Sequence, residues 1–255
     1  MKLRILGCGT SSGVPRIGND WGECDPAEPR NRRTRASILI ESATTRILVD
    51  TTPDLREQLL RADVADVDAV VWTHDHADHC HGIDDLRQLY HARGRPVIGY
   101  ARPETLAALR NRFAYAFDGR DGYPPTVDGR ALPSATKIGD IDVRVVDQPH
   151  GNITSAGLRF ESGGKSIGYS TDFNVMTDDM LALFEGLDAW VVDALRKRPH
   201  PTHPHLDATL EWIERLRPRR AILTHMDQSM DYRTLCAELP DGVEPGYDGL
   251  ERMTS

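Results

Sequence analysis

The sequence predicts an α/β protein, and three observations carry that prediction. Short apolar runs of strand length recur along the chain. They alternate with longer stretches of helical periodicity, the pattern of strands and helices laid down in turn. Several of the apolar runs end on a histidine or an aspartate, which sets chemistry on a rigid scaffold.

The elements follow in order. Residues 3–7, 36–41 and 45–49 read as strands, being rich in leucine, isoleucine and valine. Pro53 opens a helix reaching about Leu60, with proline at a favourable first-turn position. Residues 68–72 form a short apolar run that reads as a buried strand. A helical stretch over 82–91, a short strand over 97–100 and a long proline-started helix over 103–117 come next. Residues 118–133 are rich in Gly, Pro and Asp and predict a long loop, of a length often used to contact substrate. Strands are expected near Val143 and over 157–161 and 166–171, then a helix over 175–184. A buried strand over 189–192, an amphipathic helix over 206–216 and a strand over 220–224 complete the pattern. No internal repeat or low-complexity tract interrupts it.

Length and composition fit one domain over residues 1–255. No apolar run approaches a membrane span, and the N-terminus has no signal-peptide layout, so a cytoplasmic protein is expected. Cys8, Cys24, Cys80 and Cys236 form no close pair, which fits free thiols in a reducing compartment. A formal charge of −8 argues against nonspecific binding of large nucleic acids, which needs a basic footprint. Two basic runs, 30–35 and 196–198, stand out; the second lies between segments that carry candidate ligands.

The densest chemistry is Thr73-His74-Asp75-His76-Ala77-Asp78-His79, directly after the 68–72 strand. Neutral imidazoles and carboxylates at this density are the usual ligands of zinc, manganese or iron. Histidines two apart in an extended turn can face one ion, leaving Asp78 and His79 for a second. Three later strand-like runs end at His150, Asp172 and His225. A lone histidine at a strand end is most often structural, but four such endings in order point to one site.

With these residues the chain resembles the metallo-β-lactamase-fold hydrolases, from Leu3 to about Leu250. The resemblance implies an αβ/βα sandwich, two mixed β-sheets flanked by helices, with a dinuclear site at one sheet edge. It implies two divalent metal ions, Mn2+ or Zn2+. His74, His76 and His150 would hold one, Asp78, His79 and His225 the other, and Asp172 would bridge them. Two such ions lower the pKa of a shared water, and the resulting hydroxide attacks phosphorus.

Within that superfamily the chain is most similar to the phosphoribosyl cyclic phosphate phosphodiesterases. The similarity rests on the opening Gly7-Cys8-Gly9-Thr10-Ser11-Ser12-Gly13-Val14-Pro15, on His205-Leu206-Asp207 and on Leu223-Thr224-His225. It implies a small cyclic or nucleotide-like phosphodiester substrate, with His205 and Asp78 as catalytic groups. His205 would contact the phosphate and protonate the leaving oxygen. His200 and His203 read as parts of a stiff, proline-rich polar loop. Asp50, at the end of the 45–49 strand, is expected to support a ligand by hydrogen bonding.

The pattern departs from that group at one place. The group carries a further zinc on a cysteine cluster and a histidine; here only Cys24 and Gln228 occupy the corresponding segments, so no structural zinc is expected. A glyoxalase II-type thioesterase, a tRNA 3′-processing nuclease and a PQQ-biosynthesis relative share features of the site. A noncatalytic nucleotide-binding module is the reading from another class. A homodimer is plausible from the general prevalence of symmetric pairs.

Overall fold

The computed structural model describes residues 1–254. The first half of the chain supplies β1 (Lys2–Gly7), β2 (Ser37–Glu41), β3 (Arg46–Val49), α1 (Leu55–Ala62), β4 (Ala69–Val71) and α2 (Ala77–Cys80). It continues through α3 (Leu86–Arg93), β5 (Val97–Ala101), α4 (Pro103–Arg112), α5 (Ala114–Asp118) and β6 (Val127–Ala131). The second half supplies β7 (Ala135–Ile138), β8 (Ile141–His150), β9 (Ile153–Ser162), β10 (Lys165–Ser170), α6 (Asp178–Phe184) and β11 (Ala189–Asp193). Then follow α7 (Leu206–Leu216), β12 (Ala221–Thr224), α8 (Tyr232–Glu238), β13 (Val243–Pro245) and β14 (Glu251–Met253).

Two seven-stranded mixed sheets result, ordered β14-β1-β2-β3-β4-β5-β6 and β13-β12-β11-β10-β9-β8-β7. The αβ/βα sandwich expected from the sequence is therefore the fold. Strand periodicity explains why it closes. Ile38, Ile40, Ile47, Val49, Ala69 and Val71 belong to the core that also takes in the second sheet and its helices. The intervening Leu39, Leu48 and Val70 belong to a separate core with α1, α3, α4 and α5. Strands buried on both faces read as continuous apolar runs, and these do.

Strands β3, β4 and β5 run parallel, as do β10, β11 and β12. Parallel strands deliver their carboxyl ends to one edge, where ligands of open α/β sheets usually bind. A hydrogen bond from Ala156 N–H to Thr73 C=O at 2.9 Å ties the second sheet to the motif that follows β4.

Several local expectations shift. The 118–133 loop contains β6, an edge strand pairing with β5, whose mostly exposed residues give no alternation to read. The long 103–117 helix is two helices, because Phe113 leaves helical geometry at φ −121° and ψ 39°. The helix placed at 175–184 starts at Asp178, where the Thr177 hydroxyl accepts from Met180 N–H.

Candidate metal centre

Most of the candidate ligands sit where a strand runs out, and the others lie on the short helix that follows β4. The chain leaves β4 through the buried Trp72 and Thr73 to His74 and the exposed His76. Asp78 and His79 lie on the short helix α2. His150 closes β8 and Asp193 closes β11. Asp50, Asp172 and His225 follow β3, β10 and β12 and adopt φ angles of 65°, 56° and 58°. That left-handed region is uncommon for residues with a side chain, though aspartate tolerates it better than most.

Asp172 is the hub of the arrangement. Its Oδ2 lies 3.2 Å from His79 Nε2 and 3.6 Å from His225 Nε2. Its Oδ1 lies 3.7 Å from His150 Nε2 and 3.8 Å from His74 Nε2. Asp78 Oδ2 is 3.3 Å from His79 Nε2 and 3.5 Å from His225 Nε2, and His76 Nδ1 is 3.3 Å from His150 Nε2. The donor atoms of His74, His76, His150 and Asp172 lie within 4.8 Å of one another, and so do those of Asp78, His79 and His225. All seven residues singled out from the sequence thus converge.

A second layer of contacts fixes the rings. The fully buried Asp50 accepts from Thr73 N–H at 2.7 Å and reaches His79 Nδ1 at 2.8 Å. Thr202 C=O meets His150 Nδ1 at 3.0 Å. Such partners set the tautomer and orientation of a metal-binding imidazole. Asp172 is held from three sides: the Ser155 hydroxyl donates to its C=O at 2.7 Å, the Thr171 hydroxyl to Oδ2 at 2.6 Å, and its N–H donates to Asp193 Oδ2 at 3.0 Å.

The residues fit a divalent cation. His74 Nε2, His79 Nε2 and His225 Nε2 are buried and have no hydrogen-bond partner. An orphaned buried polar atom costs roughly 1–3 kcal/mol, so three at one point call for a ligand. The electrostatics agree. Burial disfavours charge on His79, yet Asp172, Asp78 and Asp50 overcome it and hold its pKa well above normal. Burial likewise opposes charge on His225, but Asp172 and Asp78 raise it to about 9. Asp172 is held well below the usual carboxylate range by His225, His79 and His74 despite its burial. Positive charge is wanted where these groups meet, and protons alone supply it in the free protein.

One sequence expectation is displaced. The histidine of the 199–205 segment that reaches the cluster is His203, not His205. His203 Nε2 lies 3.8 Å from Asp172 Oδ1, and its ring stacks on that of His225 with centroids 4.8 Å apart. Its Nδ1 is 2.9 Å from Asp193 Oδ2. His205 instead occupies the N-cap position of α7 and is not among the converging donors. The cause is the loop path: Leu195 N–H donates to Pro204 C=O and Leu206 N–H to Arg196 C=O, so the segment folds back on itself. Proximity to a helix start was the wrong guide. Asp193, which orients His203, is a functional residue beyond those expected from the sequence, and β11 ends on it just as other strands end on ligands. Cys24, on the departing segment, lies 3.9 Å from the guanidinium of the buried Arg33.

Fold and site together define a protein of the metallo-β-lactamase fold with a His/Asp cluster suited to divalent metal. The chain belongs to the β-lactamase superfamily: the family model for the beta-lactamase superfamily domain matches residues 45–226. A solved structure described as a new diphosphatase from the PhnP family is 36% identical, with a TM-score of 0.90 over 98% of this chain and 96% of its own. An octanoyltransferase from Porphyromonas gingivalis is 30% identical over 261 residues, covering 99% of this chain but 51% of its own length. The chain therefore spans about half of that relative. Coenzyme PQQ synthesis protein B from Methylorubrum populi is 26% identical over 224 residues, 76% of this chain and 72% of its own. No helix among the described residues is long and apolar enough to cross a membrane.

Proposed function

We propose that the protein is a dinuclear metal-dependent phosphodiesterase acting on a small cyclic or nucleotide-like phosphodiester. The observation that carries this reading is the Asp193–His203 pair beside the ligand cluster, a protonatable group with its own orienting carboxylate. In this reading His74, His76 and His150 would hold one ion and Asp78, His79 and His225 the other, with Asp172 serving both; the donor set suits zinc or manganese. When bound, the ions supply Lewis acidity, an activated water and charge neutralisation of the phosphoryl oxygens. Four unpaired cysteines, three of them buried, fit a cytoplasmic enzyme.

The chain's own side chains do the remaining work. Asp50 and the Thr202 carbonyl hold His79 and His150 in orientation. Asp193 Oδ2 accepts a hydrogen bond from His203 Nδ1–H, which turns Nε2 toward the cluster. A phosphodiester leaves an alkoxide, a poor leaving group, and His203 Nε2–H can protonate it as the bond breaks. Asp78, expected to be catalytic, acts in this reading as a ligand kept ionised by its histidine neighbours.

The diphosphatase neighbour favours a second reading, hydrolysis of a phosphoanhydride, whose leaving phosphate needs less protonation. One experiment separates the two. His203→Ala is expected to lower kcat about 10²–10⁴-fold on an alkyl phosphodiester while metal content stays unchanged. An equal, small loss on alkyl diester and diphosphate substrates would remove His203 from the acid role. Failure of metal-loaded wild type to turn over any phosphodiester, with diphosphates cleaved, would replace the first reading by the second.

A further inference from the structure

Beyond the metal cluster, α3, α5 and the 119–126 turn enclose a recess of about 190 Å³. Its walls include Tyr90, Tyr115, Tyr123 and Pro124, and its polar groups include Asp84 and Arg87. Arg87 lies over the Tyr123 ring, 5.9 Å from its centroid. Tyr115 and Tyr123 are 40% and 68% exposed, so both rings are open to a ligand. A cavity of roughly 150 Å³ is enough to hold a benzene ring, so this one has space for a single planar ring system and little more.

The chemistry of the lining narrows the ring. Tyrosine faces and a guanidinium stack on flat π systems. Asp84 offers acceptors to ring N–H groups, and Arg87 offers donors to ring carbonyls or nitrogens. A purely aliphatic ligand would use neither edge.

The recess is tied to the metal cluster. Asp84 follows His79 by five residues, so their Cα atoms can be no more than about 18 Å apart. Arg112, at the end of α4, pairs with Asp75 of the histidine motif at 2.9 Å, and Phe113 packs edge-on against His81 at 5.6 Å. α5, which walls the recess, starts directly after these two contacts, so its first turn is anchored to the loop bearing the exposed His76.

From this geometry we infer that the recess is a nucleobase subsite, and that the substrate at the metal cluster is a nucleotide rather than a bare sugar phosphate. The inference rests on the phosphodiesterase reading and selects among its substrates. Its base would lie against Tyr123 and Arg87 while its phosphate reaches the cluster.

The test is calorimetric binding of adenosine monophosphate and of ribose 5-phosphate to the metal-loaded protein. Both are monoesters, and they differ by the base. Adenosine monophosphate is expected to bind at least about fivefold tighter, the lower bound of base stacking on an aromatic side chain. Tyr123→Ala and Arg87→Ala should each reduce that preference, with the ribose 5-phosphate affinity unchanged, and Tyr123→Phe should retain it. Equal affinities in the wild type, or a preference that survives both alanine variants, would overturn the inference. Phosphodiester turnover, read in parallel, separates the two levels. Turnover with no base preference breaks this inference alone; a base preference with no turnover of any diester breaks the phosphodiesterase reading and leaves the base site standing.

Discussion

The two ends of the metal cluster are built from similar ligands in different surroundings. His74, His76 and His150 meet at an end where His76 is exposed and the only carboxylate is Asp172. Burial pushes the His74 and His150 imidazoles below their usual pKa, so they stand neutral. At the other end His79 and His225 face Asp78 and Asp172, with Asp50 and Asp193 behind them, and their pKa values rise instead. The first end is prepared as neutral ligand, the second as an anionic well already filled with protons. The extra carboxylate of Asp78, backed by Asp50 and Asp193, distinguishes the two proposed ion positions.

The comparison breaks most directly at the residue shared by both ends. Asp172→Asn removes the common carboxylate, and turnover should fall about 10³-fold or more, by analogy with loss of a major transition-state stabiliser. Elemental analysis should show both positions depleted; retention of two full equivalents would deny Asp172 its bridging place. A change at one end only is the sharper test. Asp50→Asn takes away the partner of His79 and should weaken one of the two metal-binding events by about 10–100-fold. A matching loss in the other event would mean that the ends are not independent.

The pH dependence of metal uptake is the finest of these effects. His225, raised to about 9, is protonated near neutrality in the free protein, so an incoming ion must displace that proton. Affinity at the carboxylate-lined end should therefore climb about tenfold per pH unit and per proton displaced until the pH reaches about 9. At the other end His74 and His150 already stand neutral, and affinity should depend less steeply on pH above neutrality. Zinc titration with a pH indicator would resolve the two phases, and equal proton release in both would cancel the distinction. The same proton has a sign for stability. A raised histidine contributes stability that is complete below its ordinary pKa of 6.5 and is lost as pH rises through about 9, so the metal-free protein should weaken over that interval.

Much of this was legible in the residues themselves. The ligand motif and the strand-end residues could be read because several apolar runs in order end on metal-competent side chains, a pattern that packing alone does not produce. His203 could not, since its position depends on how Leu195 and Leu206 pair across the intervening loop, and backbone pairing within a proline-rich segment leaves no periodic trace. Asp193 carries the same strand-end signature, since β11 is an apolar run that ends on it. β6 stayed hidden because an edge strand with exposed Asp128, Arg130 and Ala131 lacks both alternation and an apolar run.

The left-handed turns at Asp50, Asp172 and His225 carry a further consequence. Glycine would relieve the backbone at each position but has no atom to offer the centre, so the chain retains conformations disfavoured by on the order of 1 kcal/mol each. Against a total stability of roughly 5–15 kcal/mol that is a substantial fraction. The protein is thus less robust than its scaffold allows, and selection for thermal resistance alone would be expected to erode these three positions first. Activity and durability here pull on the same three backbone angles in opposite directions.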